Sequence, residues 1–160
     1  MDQPISIQDL QEMLTGAGVY DVDVVPSDDV TIDGSRFLVR GKPRKACIVL
    51  LQFPRQDVGH FVCLWRRGGK WMYYDPTGKP MGHYRVLPPL EGVSSSPMVH
   101  QKRYVVQTDG AGARVGDMNT CGRHCIVRMQ QRALTHAQYD NLLGTRPFRS
   151  ADEYVNAATQ

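Results

Sequence analysis

His60-Phe61-Val62-Cys63-Leu64-Trp65-Arg66-Arg67, then Gly68-Gly69, then Lys70-Trp71-Met72-Tyr73-Tyr74-Asp75 is the stretch whose reading decides the fold. Two β-rich runs separated by Gly-Gly spell a hairpin with a two-residue turn. In that register Arg67 faces Lys70 and Val62 faces Asp75. His60 lies two residues from Val62, so it shares a face with Asp75 as its diagonal neighbour, at a Cα separation of roughly 7–8 Å that the side chains can close. A turn of odd length would put the two on opposite faces.

Upstream, Cys47-Ile48-Val49-Leu50-Leu51 runs apolar without alternation, as expected of a central strand covered on both faces. Nearer the N-terminus, Ser6-Ile7-Gln8-Asp9 reads as a helix cap, with Leu10, Met13 and Leu14 as the apolar stripe and Gly16 as the stop. The segment through Val24-Val25-Pro26-Ser27-Asp28-Asp29 is turn-rich and carries little signal. Downstream, residues 76–101 are rich in Pro, Gly and Ser and read as a long connection with at most short helical turns. Lys102 to Thr108 suggests a further strand, followed by a flexible Asp109-Gly110-Ala111-Gly112-Ala113. A helix carrying Cys121 then extends to about Ala133, with Gly122, Cys125, Ile126, Met129 and Ala133 as its one buried stripe. Two closing helices are expected over 135–143 and 150–158, the second with Ser150-x-x-Glu153 as a capping box. Helix, sheet, helices, with no repeat and no linker, make a single α+β domain over 1–160.

Composition agrees with one globular domain. The chain has 160 residues, 41% of them hydrophobic and 22% charged, which argues against disorder. The N-terminus lacks an apolar run and no stretch approaches transmembrane length, so the expectation is a soluble intracellular protein without a membrane partner. Cysteines at 47, 63, 121 and 125 are too few and too widely spread for a disulfide scaffold, and reduced thiols are expected. The net charge of +3 is modest. Arg40-Gly41-Lys42-Pro43-Arg44-Lys45 and Arg66-Arg67-Gly68-Gly69-Lys70 could touch phosphate, although solvated loops carry such clusters routinely.

Asn119-Thr120-Cys121-Gly122-Arg123-His124-Cys125 places Cys121 at the N-terminus of a helix. Unpaired N–H groups there favour thiolate over thiol, and a Gly122 without Cβ would let a carbonyl approach the backbone donors beside the sulfur. A carboxylate fixes the tautomer of an adjacent imidazole, and an imidazole beside a thiol promotes the thiolate. His60, Asp75 and Cys121 together therefore read as a nucleophilic triad.

The run Gly59-His60-Phe61-Val62, then Tyr74-Asp75-Pro76-Thr77-Gly78, then a Gln, then Thr120-Cys121-Gly122 resembles the adenovirus maturation protease and its relatives in large DNA viruses and virus-like transposons, a framework shared with the Ulp SUMO proteases. The resemblance covers most of the chain. It implies a permuted papain-like cysteine peptidase, with a mixed or antiparallel central sheet, the nucleophile helix packed against it and an N-terminal helix. It implies His60 as general base, Asp75 as orienting acid and Cys121 as nucleophile, with no metal and no cofactor. Where the family usually has Trp after the histidine, this chain has Phe61, an aromatic wall without the indole N–H. The oxyanion glutamine usually lies six or seven residues before the nucleophile, but position 115 is Val115; Gln107, beyond a Gly-rich insertion, is the expected donor, with Asn119 and the Cys121 N–H as the alternative. The implied activity is a cysteine endopeptidase that processes viral capsid precursors, with Gly-Gly-type sites among its targets. The implied setting is the host cytoplasm or nucleus and the virion, as a monomer, with a nucleic-acid or peptide activator permitted by the basic clusters.

Three other readings stay open. Within the enzyme class, an isopeptidase for ubiquitin-like conjugates is the runner-up. His60-x-x-Cys63 and Cys121-x-x-His124-Cys125 could instead ligate zinc, although His60 and Cys63 are three apart on a strand and so face opposite ways. An inactive protease fold serving as a binding or structural protein is the third, and for His124 simple exposure is the plain alternative to a role.

Overall fold

The computed structural model describes residues 5–53, 59–101, 104–108, 112–116, 120–144, 148 and 150–160, with backbone alone for 104–108, 112–116 and 120. Within these residues the fold is α+β, with a mixed five-stranded sheet at its centre. Strands β5 (Ala46–Gln52), β6 (Gly59–Arg67) and β7 (Lys70–Tyr74) are antiparallel neighbours. β1 (Asp23–Pro26) lies parallel to β5 on one edge, and β8 (Ser94–Ser95) parallel to β7 on the other.

The hairpin has the register expected from Gly68-Gly69: Arg67 pairs with Lys70 and Cys63 with Tyr74. Both glycines have positive φ, 58° and 80°, the backbone that a two-residue turn matched to strand twist requires. β5 is apolar from Ala46 to Leu51 because both faces are covered. Ile48 joins one core cluster with Phe61, Cys63, Trp65 and the helices, while Cys47, Val49 and Leu51 join a second with Val62, Leu64, Trp71 and Tyr73.

Helices α1 (Ile7–Gly16), α2 (Thr120–Gln130), α3 (His136–Leu143) and α4 (Ala151–Ala158) contribute to the first cluster. Ser6 Oγ accepts from the Asp9 N–H as expected, Ser150 Oγ accepts from the Glu153 N–H as one half of the expected box, and Thr135 and Gln138 form a reciprocal box that was not expected. The opposite face is covered by a three-stranded antiparallel sheet of β2 (Val30–Asp33), β3 (Arg36–Val39) and β4 (Lys42–Pro43), and by Met81, Leu87 and Leu90 of the long connection.

Four expectations are corrected. The turn-rich segment supplies β1, and residues 30–43 supply a whole covering sheet. The long connection contains β8. The Gly-rich insertion is not an open loop, since β10 (Gly112–Gly116) pairs antiparallel with β9 (Tyr104–Thr108), Ala113 facing Gln107. Finally, α2 does not bury one stripe: from Cys121 to Met129 every residue but Arg123 is buried, and Ala133 is exposed beyond the helix end. The helix runs through the core, with β6, α1 and α4 around it.

Candidate active site

His60 sits near the start of β6, and Asp75 immediately follows the end of β7. The hairpin register puts them on the same face, and His60 Nε2 lies 2.6 Å from Asp75 Oδ1 with both side chains buried. The same oxygen accepts the Thr77 backbone N–H and the Thr77 hydroxyl, each at 2.8 Å. Asp75-Pro76-Thr77-Gly78 is thus an Asx-type turn whose carboxylate also holds the imidazole. With its hydrogen committed to Asp75, Thr77 Oγ1 accepts from the Tyr84 hydroxyl at 3.0 Å, and the Tyr84 ring meets His60 edge-on at 5.5 Å.

Burial by itself would raise the Asp75 carboxyl. The hydrogen bond and charge of His60, together with the two Thr77 donors, outweigh it and hold the group below its ordinary value of 3.8. The bond from Nε2 to the carboxylate sets the tautomer and the orientation of the His60 ring.

A strap from Ser96 to Gln101 secures this turn. The Ser96 N–H bonds the Tyr73 carbonyl at 3.0 Å, and the His100 and Gln101 N–H groups both bond the Pro76 carbonyl, at 2.8 and 2.9 Å. Gly78 has φ +81°, and a Cβ there would lie 2.8 Å from Val99 Cγ2 and 3.2 Å from the Met98 carbonyl. The turn therefore needs glycine for both conformation and space.

Cys121 is the second residue of α2 and is 6% exposed. The helix follows β6 in order. A Cβ on Gly122 would lie 3.4 Å from Phe61 Cδ2, Cys63 Sγ donates to the Cys125 carbonyl at 3.6 Å, and the Arg128 guanidinium stacks over Trp65 at 4.6 Å. The Cys121 end of α2 accordingly lies at the His60 end of β6. His60 pairs across from Leu51 and belongs to the face opposite the helices, so the imidazole and the Cys121 helix lie on opposite faces at the same end of β6. On that opposite face a small hollow lined by Leu51, Tyr73, Met81, Tyr84 and Leu87 adjoins the pair through Tyr84.

The space a Cβ on Gly122 would take is filled by Leu10 Cδ1 at 2.9 Å and by Phe61, so glycine here serves close packing of α1, α2 and β6. Phe61 is 3% exposed within the helix-side core. Gln107 lies within β9 with its side chain outside the described residues, and Asn119 falls outside them altogether.

All four cysteines are free. Burial, reinforced by the Asp23 charge, pushes Cys47 up to about 12. Burial and the Cys63 contact push Cys125 well above its ordinary value. No group of three or more His, Cys, Asp or Glu side chains that could hold a metal occurs among the described residues. His124 is fully buried and pairs with Asp152 at 2.8 Å, which corrects the expectation of simple exposure.

Thr77, Tyr84 and the strap were not singled out by sequence reasoning. Asp-Pro-Thr-Gly carried a signal for Thr77, since an Asx turn places the residue two positions on against the carboxylate. No local pattern pointed to Tyr84. No known family model and no curated protein matches the chain.

Proposed function

We propose that the protein is a cysteine endopeptidase related to the adenovirus maturation protease and Ulp framework, acting on viral structural precursors with Gly-Gly-type sites. The observation that carries this reading is the buried His60–Asp75 pair at 2.6 Å, at the end of β6 alongside which the Cys121 helix begins. A carboxylate-held imidazole that serves a thiol at a helix N-terminus is the arrangement that acyl transfer to sulfur requires.

In the proposed mechanism His60 takes the Cys121 thiol proton, and the sulfur attacks the peptide carbonyl to form a C–S bond and an oxyanion. The Cys121 N–H and the Gln107 carboxamide are the proposed oxyanion donors. Collapse breaks the C–N bond as His60 protonates the leaving amine. Water, deprotonated by His60, then forms the new C–O bond, and the C–S bond breaks to release the acid.

The test is labelling by a Gly-Gly peptidyl vinyl sulfone, read by mass spectrometry. Wild-type protein and Cys125→Ala should take one adduct on Cys121, and Cys121→Ala none; an adduct that persists in Cys121→Ala would sink the assignment. Cleavage of a capsid-type Gly-Gly peptide should exceed that of a ubiquitin-like precursor, and the reverse ranking would favour the isopeptidase reading.

A further inference from the structure

Gln101 ends the strap that holds the Asp75 turn. Its backbone N–H lies 2.9 Å from the Pro76 carbonyl, so its side chain is rooted one residue from the acid of the buried pair. It is 2% exposed, yet neither its amide oxygen nor its amide nitrogen has a hydrogen-bond partner among the described residues. Its strap neighbour His100 is fully engaged, Nδ1 with the Tyr74 hydroxyl and Nε2 with Asp140, each at 2.8 Å. Two residues back, Val99 is 70% exposed, one of two large exposed hydrophobics among the described residues.

A buried carboxamide with both ends unpaired weakens a fold, and native structures rarely keep one without a use for it. The group that satisfies it must offer a donor and an acceptor at once. A backbone peptide unit does so, and it does so whatever its side chains are. Resting on the peptidase reading above, we propose that Gln101 binds a main-chain peptide group of the substrate beside the His60–Asp75 pair. It is a substrate-binding residue and takes no part in proton transfer.

Gln101→Met keeps the volume and removes both polar atoms. It should melt no lower than wild type, while the ratio of Cys121 labelling by the Gly-Gly peptidyl vinyl sulfone to alkylation by iodoacetamide falls about tenfold, the factor one peptide hydrogen bond is worth. Gln101→Asn, which withdraws the amide by one methylene, should lower the same ratio by a smaller factor. A lower melting temperature or a failure to fold for Gln101→Met would make Gln101 structural and overturn the inference, as would an unchanged ratio. Wild-type protein that takes iodoacetamide but never the peptidyl probe would instead overturn the peptidase reading, and this inference with it.

Discussion

Two sides of one sheet carry His–Asp pairs of nearly equal length with buried histidines, and they differ in what surrounds them. On the side of the covering sheet, His60 and Asp75 are 2.6 Å apart, and the Asp75 side chain is wholly buried. On the helix side, His124–Asp152 and His100–Asp140 are each 2.8 Å, with acids 21% and 41% exposed. The helix-side pairs tie elements together: His124 joins α2 to α4, and His100 joins the strap to α3 while stacking on His124 at 6.3 Å. The His60–Asp75 pair joins two strands that β-pairing already holds, and its carboxylate carries two further donors from Thr77. A His–Asp distance alone therefore does not mark a site. A pair whose strands are already held by β-pairing, at a sheet end, beside a helix that begins with a thiol, is the better candidate.

The largest predicted contrast is between the two histidines. His60→Gln should lower peptide cleavage by about 10³–10⁴-fold with little loss of stability, whereas His124→Gln should mainly destabilise, by about 1–3 kcal/mol in urea. Next comes Gly122→Ala, whose added methyl meets Leu10 Cδ1 at 2.9 Å and Phe61 Cδ2 at 3.4 Å. Overpacking of α1 against α2 should cost about 1–3 kcal/mol, measured by urea unfolding, and unchanged stability would contradict the packing role. Thr77→Val removes one of three donors to Asp75 and the acceptor for Tyr84, and should cost about 1 kcal/mol and slow cleavage several-fold.

The smallest effect is in pH dependence. Burial, helped by the neighbouring His124 and Arg128 charges, holds His100 below its ordinary 6.5 despite Asp140, and burial does the same for His136. The unfolded chain therefore binds protons that the folded one does not, so stability is complete above pH 6.5 and declines as pH falls below it. Asp75, held below 3.8, contributes fully above pH 3.8 and loses that contribution progressively as the pH falls from there through the lowered value. Urea unfolding from pH 7.5 to 5 should show the first decline, reduced in His100→Gln; a flat profile would contradict it.

Sequence was most informative where structure is local. The Gly68-Gly69 turn fixes the hairpin register, and with it the His60–Asp75 pairing, through neighbours close along the chain. The Ser6 and Ser150 caps are local for the same reason. What escaped depends on distant partners. β1 is four residues ending in Pro26 and exists because β5 pairs with it; β8 is two serines against β7; β10 has two glycines and little strand propensity of its own. Arg128 shows the same limit. A charge in Ile126-Val127-Arg128-Met129 suggests an outward face, yet it is wholly buried between the Trp65 and Tyr139 rings, donating to the Gln131 and Leu134 carbonyls. The same burial on all sides defeated the single-stripe expectation for α2. For the site, the pair was legible, but the close packing at Gly122 and Phe61 was not, because Leu10 comes from more than a hundred residues away in the chain.

The central claim is that the His60–Asp75 pair acts on Cys121 while the helix-side pairs hold the fold. Its most direct test is the rate of Cys121 labelling by the Gly-Gly peptidyl vinyl sulfone in Asp75→Asn and Asp152→Asn, each at a temperature where it is folded. The account predicts a rate at least about a hundredfold lower for Asp75→Asn and an unchanged rate for Asp152→Asn. Equal rates in the two variants would contradict it.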